Sequence, residues 1–301
     1  MVNIKAAFKS DRTMKALTGM TIYEFNSLLI SFEKNFKAHK KIINKFRKRL
    51  RKEGGGSKHN LDTIEKKLFF ILFYIKCYPT CDLSAFYFGV HRAQPPRWVR
   101  SLLSILEKTL DYEIVLPERQ ISSVEEFQKK FPEIKDIFID GTERPIQRPK
   151  NGKKQKKNYS GKKKRHTKKN IIASDKDRKV LFLSKTKAGK THDKKTLDKS
   201  SLIENIPDNV TCWFDTGFIG VNKNNIMMPK KKSKNRPLTE AERQENRIIS
   251  GIRVLSENAI NGPKRFGAIS NIFRSRMAEL DDKLMNVACG LWNYHLRMAV
   301  V

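Results

Sequence analysis

The 301-residue chain reads as an α/β protein, a mixed sheet flanked by helices and preceded by an all-helical region. Three observations carry this. The first 110 residues place their apolar side chains at helical spacing. The second half instead holds short apolar runs, IFID, NIIAS, VLFLSKT and VTCWFD, separated by turn-forming residues. A long helical stretch, NRIISGIRVLSENAI, follows the last of them.

Taken in order, residues 1–52 read as helical on the pattern MTIYEFNSLLISFEKNF, and Lys34 to Lys52 holds ten Lys+Arg and no acid. The GGGS run at 54–57 breaks that pattern as a loop. LDTIEKKLFFILFYIKCY is apolar enough for a core helix. Next come a short helix at 82–88, a turn at Gly89-Val90-His91, and a second helix from about Gln94 to Leu110. Pro95 and Pro96 suit its first turn, where backbone N–H groups need no partner. Two short helices joined by a tight glycine turn make a helix-turn-helix. Its second helix would present Arg92, Gln94, Arg97 and Arg100 to DNA, with Leu102, Leu103 and Leu106 facing the core. The domain division expected is therefore 1–115 helical and DNA-binding, with the helix-turn-helix at about 80–110, then a connector over 116–134 and a second domain over 135–301.

In that second domain a strand is expected at Asp136–Asp140. The densest basic run follows, eleven Lys+Arg and no acid from Lys150 to Lys169, including Lys162, Lys163, Lys164 and Arg165. Such a run is usually a solvated face; between two strands of a catalytic unit it suits substrate contact. NIIAS and VLFLSKT flank the polar turn DKDRK as a hairpin. A helix from about Asp193 to Glu204 leads to a fourth strand, Val210–Asp215. Strand, hairpin, helix, strand is the order of a ribonuclease-H-like core, whose first strand is central. Asp140 and Asp215 would then end adjacent strands.

Composition bounds the partners. Lys+Arg number 63 against 31 Asp+Glu, a net charge of +32, so a polyanion is the natural partner and phosphate backbone the obvious one. Apolar content of 39% allows a packed core. No apolar run approaches the roughly 20 residues of a membrane span, and the N-terminus lacks a signal-peptide core, so the expectation is a cytoplasmic protein with no membrane partner. Cys77, Cys81, Cys212 and Cys289 match no zinc spacing and read as buried reduced thiols.

Within this polycation Asp140, Asp215 and Glu257 could converge on one point. Three carboxylates repel unless a divalent cation holds them. Phosphodiester cleavage needs an activated water and a stabilised leaving oxygen, and two Mg²⁺ about 4 Å apart supply both. Asp140 would bridge the ions, Asp215 bind one and Glu257 the other. The simpler alternatives are that both aspartates initiate turns before glycines, and that Glu257 only pairs with Arg253 one helical turn away, for about 0.3 kcal/mol. His192-Asp193 and His166 are either adjacent to the site or a helix start and a basic turn. Trp98 and Trp292 read as core.

FIDGTERPIQRPK, YSGKKKRHTKK, AGKTHDKKTLD, WFDTGFIG, MPKKK, LTEAERQENR and RVLSENAINGPKRF occur in this order. They resemble the DDE transposases of the insertion sequence five family, and PTCDLSAFYFGVHRAQPPRWVRSLLSILE resembles the helix-turn-helix preceding the nuclease there. The resemblance covers roughly residues 55–298. It implies a ribonuclease-H-like nuclease that cuts element ends and transfers the strand to target DNA with Mg²⁺ or Mn²⁺. It also implies binding to terminal inverted repeats as a homodimer, in a prokaryotic cytoplasm at the nucleoid. The family pairs the glutamate with an arginine and a lysine, here Arg253 and Lys264, beside the metals. Three positions depart from its pattern: Ser250 stands where a tyrosine is usual, Asn258 where several relatives carry histidine, and Pro263 precedes Lys264. Pro263 is expected to end or kink the helix near Asn261-Gly262, bringing Lys264 in from a new segment. Two other readings of the same residues are a decayed or domesticated DNA-binding protein and a stand-alone DNA endonuclease.

Overall fold

The computed structural model describes residues 4–46, 60–232 and 236–299. The GGGS loop and the end of the first basic run lie outside the described residues. Two compact units divide the chain: 1–116 with 265–271 and 284–301, and 117–264 with 272–283. In chain order the helices of the first stretch are α1 (Ile4–Ala7), α2 (Asp11–Thr18), α3 (Ile22–Phe46), α4 (Ile64–Cys77), α5 (Cys81–Phe88) and α6 (Gln94–Tyr112). The second unit contributes α7 (Val124–Lys130), β1 (Asp136–Pro145), α8 (Gly152–Asn158), β2 (Tyr159–Ser160), β3 (Arg165–Ser174), β4 (Val180–Leu183) and β5 (Lys187–Ala188). It continues with α9 (Asp193–Asp198), β6 (Thr211–Phe214), β7 (Ile226–Met227) and α10 (Glu240–Lys264). After these come α11 (Gly267–Ser270) and α12 (Leu280–Ala299).

The first unit is a helical bundle whose starts are written in its sequence. Thr21 and Glu24 cap α3 reciprocally: the Thr21 N–H donates to Glu24 Oε2 at 2.6 Å and the Glu24 N–H to Thr21 Oγ1 at 3.0 Å. Thr63 and Thr80 accept the Lys66 and Leu83 N–H groups at the starts of α4 and α5, both at 3.1 Å. Leu68 to Leu72 of α4 are fully buried, as expected of a core helix. Glu24 is buried against His295 of α12 at 2.5 Å. Burial pushes its carboxyl up, and the bonds from His295 and Thr21 more than offset that, leaving it below the usual range.

The second unit is built on one sheet ordered β2-β3-β1-β6-β7, with β4 and β5 also on β3. β3 runs antiparallel to β1, while β6 runs parallel to β1 and β7 parallel to β6. β1 is central, with Ile137 and Ile139 in the core beside Ile171, Leu181 and Phe214. Helices flank this mixed sheet, the α/β arrangement the strand pattern predicted. The stretch 116–134 gives Ile121 and Phe127 to that core.

Four local expectations are corrected. β1 continues through GTERP to Pro145, because β3 pairs with it as far as Thr167. The helix expected to reach Glu204 stops at Asp198, since Ser201 takes a left-handed backbone (φ 49°) before a 3₁₀ turn at Ile203–Asn205. Helix α10 runs through Pro263 to Lys264. The helix therefore ends one residue after the proline, slightly beyond the expected Asn261-Gly262, and Lys264 is its last residue rather than part of a new segment. Only Cys212 and Cys289 are buried, whereas Cys77 and Cys81, at the ends of α4 and α5, are exposed. No described helix is long and apolar enough to cross a membrane.

Candidate active site

Ile139 of β1 pairs with Phe214 of β6 in parallel register, so the next residue along each is an aspartate: Asp140, inside β1, and Asp215, directly after β6. Both are half-buried. Asp140 Oδ1 accepts from the Gly141 N–H at 2.6 Å, and Asp215 Oδ1 accepts the Thr216 N–H at 2.5 Å and its hydroxyl at 3.1 Å. Asp215 is therefore also the turn-forming aspartate of the simpler reading, whereas Asp140 lies inside β1, which continues to Pro145.

Helix α10 packs on β1, β3 and β6. It starts in the LTEAE sequence through another reciprocal cap: the Thr239 N–H donates to Glu242 Oε2 (3.0 Å) and the Glu242 N–H to Thr239 Oγ1 (3.2 Å). Glu257 is exposed on this helix. Arg253 is one turn before it; its side chain lies outside the described residues. Lys264, on the same helix, feels Asp140 and Glu257 together. Burial holds its ammonium below the ordinary range; Asp140 and Glu257 pull it up and Lys163 pushes it down. The helix that was expected to end earlier thus carries Lys264 into the field of two of the three predicted acids.

Lys163 belongs to the predicted basic group. Lys162, Lys163 and Lys164 form the exposed tip between β2 and β3, with Lys164 left-handed at φ 51°, and Arg165 opens β3, also exposed. The rest of the run is divided. Lys153, Lys154, Lys156 and Lys157 are exposed on α8, whose start Asn151 caps through the Lys154 N–H at 3.0 Å.

Lys169 is buried. It pairs with Glu143 at 3.3 Å and Asp193 at 2.9 Å and donates to the Thr191 carbonyl at 2.9 Å. Glu143 also accepts the Thr167 hydroxyl at 2.8 Å. Burial pushes the Glu143 carboxyl up, and the Ser160 and Thr167 hydroxyls with the Lys169 charge bring it below the usual range. Asp193 stands against the residue following Asp140: a Cβ on Gly141 would meet its Oδ1 at 2.8 Å, and one on Gly217 its Oδ2 at 3.5 Å. Sequence reasoning set Asp193 beside the site only as an alternative and did not single out Glu143 or Lys169. The signal available was Gly141 itself, directly after the aspartate that closes the apolar run IFID. A second buried group was also missed. Arg144 donates to Asn170 Oδ1 at 2.8 Å, Thr186 Oγ1 at 3.0 Å and the Asp281 carbonyl at 2.7 Å.

Three carboxylates are the hard oxygen donors that suit Mg²⁺ or Mn²⁺. The two aspartates fit such an ion by chemistry and by register. The third ligand is not gathered with them: among the described residues no group of three or more His, Cys, Asp or Glu is set to hold a metal ion.

The helix-turn-helix is formed by α5 and α6. Gly89 closes α5 in the left-handed region (φ 61°), its N–H reaching the Ala85 and Phe86 carbonyls, which favours glycine. Asn60 Nδ2 pins the turn through the Phe88 (2.6 Å) and Gly89 (2.8 Å) carbonyls. Arg92, Arg97 and Arg100 are exposed and Gln94 is half-exposed, while Leu102, Leu103 and Leu106 are buried as predicted. Arg92 pairs with Asp82 at 3.3 Å.

Residues 59–111 match the helix-turn-helix of DDE superfamily endonuclease, and residues 139–293 match DDE superfamily endonuclease. The chain is also similar to the "Probable transposase for insertion sequence element IS702" of Microchaete diplosiphon, 30% identical over 165 residues. That match covers 54% of this chain and 58% of that protein's length. No solved structure matches significantly. With more than half of its length matched, and with a helix-turn-helix followed by a mixed sheet whose adjacent strands β1 and β6 set Asp140 beside Asp215, the chain belongs to the DDE superfamily endonuclease family.

Proposed function

We propose that the chain is a transposase that binds element-end DNA and catalyses strand cleavage and strand transfer. The observation that carries this is the parallel register that brings Asp140, within β1, beside Asp215, directly after β6, with a helix bearing Glu257 and Lys264 packed on the same strands. Asp140 and Asp215 would hold divalent metal, with Glu257 completing the shell. When bound, two such ions supply an activated water and neutralise the charge of the leaving oxygen. The chain's own residues do the rest. Lys264 would neutralise phosphate charge beside the acids, and Arg253 would clamp a phosphate oxygen. Lys162, Lys163, Lys164 and Arg165 would hold the DNA backbone at the hairpin tip. Arg92, Gln94, Arg97 and Arg100 would meet the terminal repeat, with sequence read by those reaching base edges. A homodimer on paired ends belongs to the same proposal.

The test uses the full chain and DNA carrying element ends. Asp140→Asn and Asp215→Asn should abolish cleavage and weaken Mn²⁺ binding in a direct titration, with circular dichroism and end binding unchanged. Loss of end binding together with cleavage would make these residues structural and end the nuclease reading. A second reading, a DNA-binding protein without nuclease activity, is favoured by the absence of a gathered three-ligand group among the described residues. Normal end binding with no cleavage by the unaltered protein in Mg²⁺ or Mn²⁺ would select it.

A further inference from the structure

We propose that the second unit carries a separate phosphate-binding site, in a cavity of ≈ 410 Å³ lined by Arg119, Lys185, Lys187 and Lys199. Its lining also includes serine, threonine and asparagine side chains, and no aspartate or glutamate. The site does not depend on the transposition reading.

Lys185, Lys187 and Lys199 make no ion pair among the described residues; Lys187 is half-buried, whereas Lys185 and Lys199 are exposed at the cavity rim. Lys187 of β5 stands directly opposite Lys169 of β3. Like charges facing each other across a strand pair are destabilising. Lys169 is neutralised by Glu143 and Asp193, whereas Lys187 has no acid of its own. Arg119 is held on one side only: its Nη2 donates to Asp282 at 2.5 Å, and its Nη1 is buried with no hydrogen-bond partner. The Asp282 contact keeps the guanidinium oriented, since Asp282 is itself fixed by the Thr186 N–H (2.7 Å) and hydroxyl (2.6 Å). Three free ammonium groups and an oriented guanidinium suit a ligand with several charged oxygens, and phosphate is that ligand. It can come from a DNA backbone or from a small free phosphate compound.

The experiment separates the two sources. The full chain, a Lys185→Ala/Lys199→Ala variant and a control Lys176→Ala/Lys179→Ala variant, altered in the turn between β3 and β4, are titrated with inorganic pyrophosphate and with a duplex of arbitrary sequence over a range of salt. Arg119 is left intact because Asp282 depends on it. The cavity variant should lose pyrophosphate affinity by about tenfold, a loss of about 1.4 kcal/mol, while the control does not. If the cavity variant's log–log salt slope for duplex also falls by about 0.9 for each phosphate it no longer neutralises, and the control's does not, DNA is the source. A change confined to pyrophosphate assigns the cavity to a small phosphate compound. Equal losses in both variants, or no loss for either ligand in the cavity variant, would overturn the site.

Discussion

Replacing Lys169 by methionine removes the only cation that Glu143 and Asp193 are paired with among the described residues, while keeping the length of the side chain. The Lys169 and Glu143 side chains are 8% and 9% exposed and Asp193 is 23% exposed, so water screens the group poorly. Removing one partner of a buried pair typically costs about 3–5 kcal/mol, because a charge is left uncompensated. Glu143 keeps the Thr167 hydroxyl and Asp193 keeps some solvent, which places the expected loss near the lower end, about 3 kcal/mol. At about 2–4 °C per kcal/mol for a domain of this size, Tm should drop by about 6–12 °C. The assay is urea unfolding at neutral pH, with a double-mutant cycle through Glu143→Gln. The pH dependence has a definite sign. The Glu143 carboxyl is held below its ordinary range in the folded protein, so its contribution is present above the unfolded value of about 4.3 and is lost as pH falls through the lower folded value. The Ser160 and Thr167 hydroxyls contribute most of that depression and Lys169 adds to it, so without Lys169 the depression shrinks and the gap between the variant and the unaltered protein should narrow on acidification. A loss below about 1 kcal/mol at neutral pH, the scale of an exposed pair, would refute the reasoning.

Arg97→Ala should reduce discrimination between element-end and random duplex by about 1–3 kcal/mol if Arg97 reads a base; equal losses on both duplexes would remove α6 as the recognition helix. Alanine at Lys162, Lys163 and Lys164 together should weaken both duplexes alike and flatten the salt dependence, and a sequence-selective loss would contradict backbone contact. Glu257→Gln should eliminate cleavage at saturating Mg²⁺, whereas Lys264→Ala should leave a reduced, salt-sensitive rate; near-normal cleavage by the Glu257 variant would remove the third acid from the mechanism. Alkylation at pH 8 should label Cys81 readily and leave Cys212 unmodified, because burial pushes the Cys212 thiol up to about 12; rapid labelling of Cys212 would contradict its place in the core.

What the sequence determined by itself were the features written in local chemistry. The core helix α4, the glycine turn between α5 and α6, and the leucines that turn α6 inward are each legible within a few residues. So are the two apolar runs that finish in Asp140 and Asp215, and their order with the hairpin and helix between them, which led to β1 as the central strand. The tertiary structure alone decided which charges are solvent-facing and which are internal. Lys163 and Lys169 belong to one basic run and look alike in it, but the first is at a hairpin tip and the second is locked between Glu143 and Asp193. Burial of a lysine depends on which acids arrive from 24 or more residues away along the chain, as Glu143 and Asp193 do, and no local pattern encodes that. The fate of α10 was decided in the same way. Pro263 argues locally for an end near Asn261-Gly262; which acids its last residue, Lys264, meets is set by the placement of α10 on β1, β3 and β6, where it comes under the influence of Asp140 and Glu257.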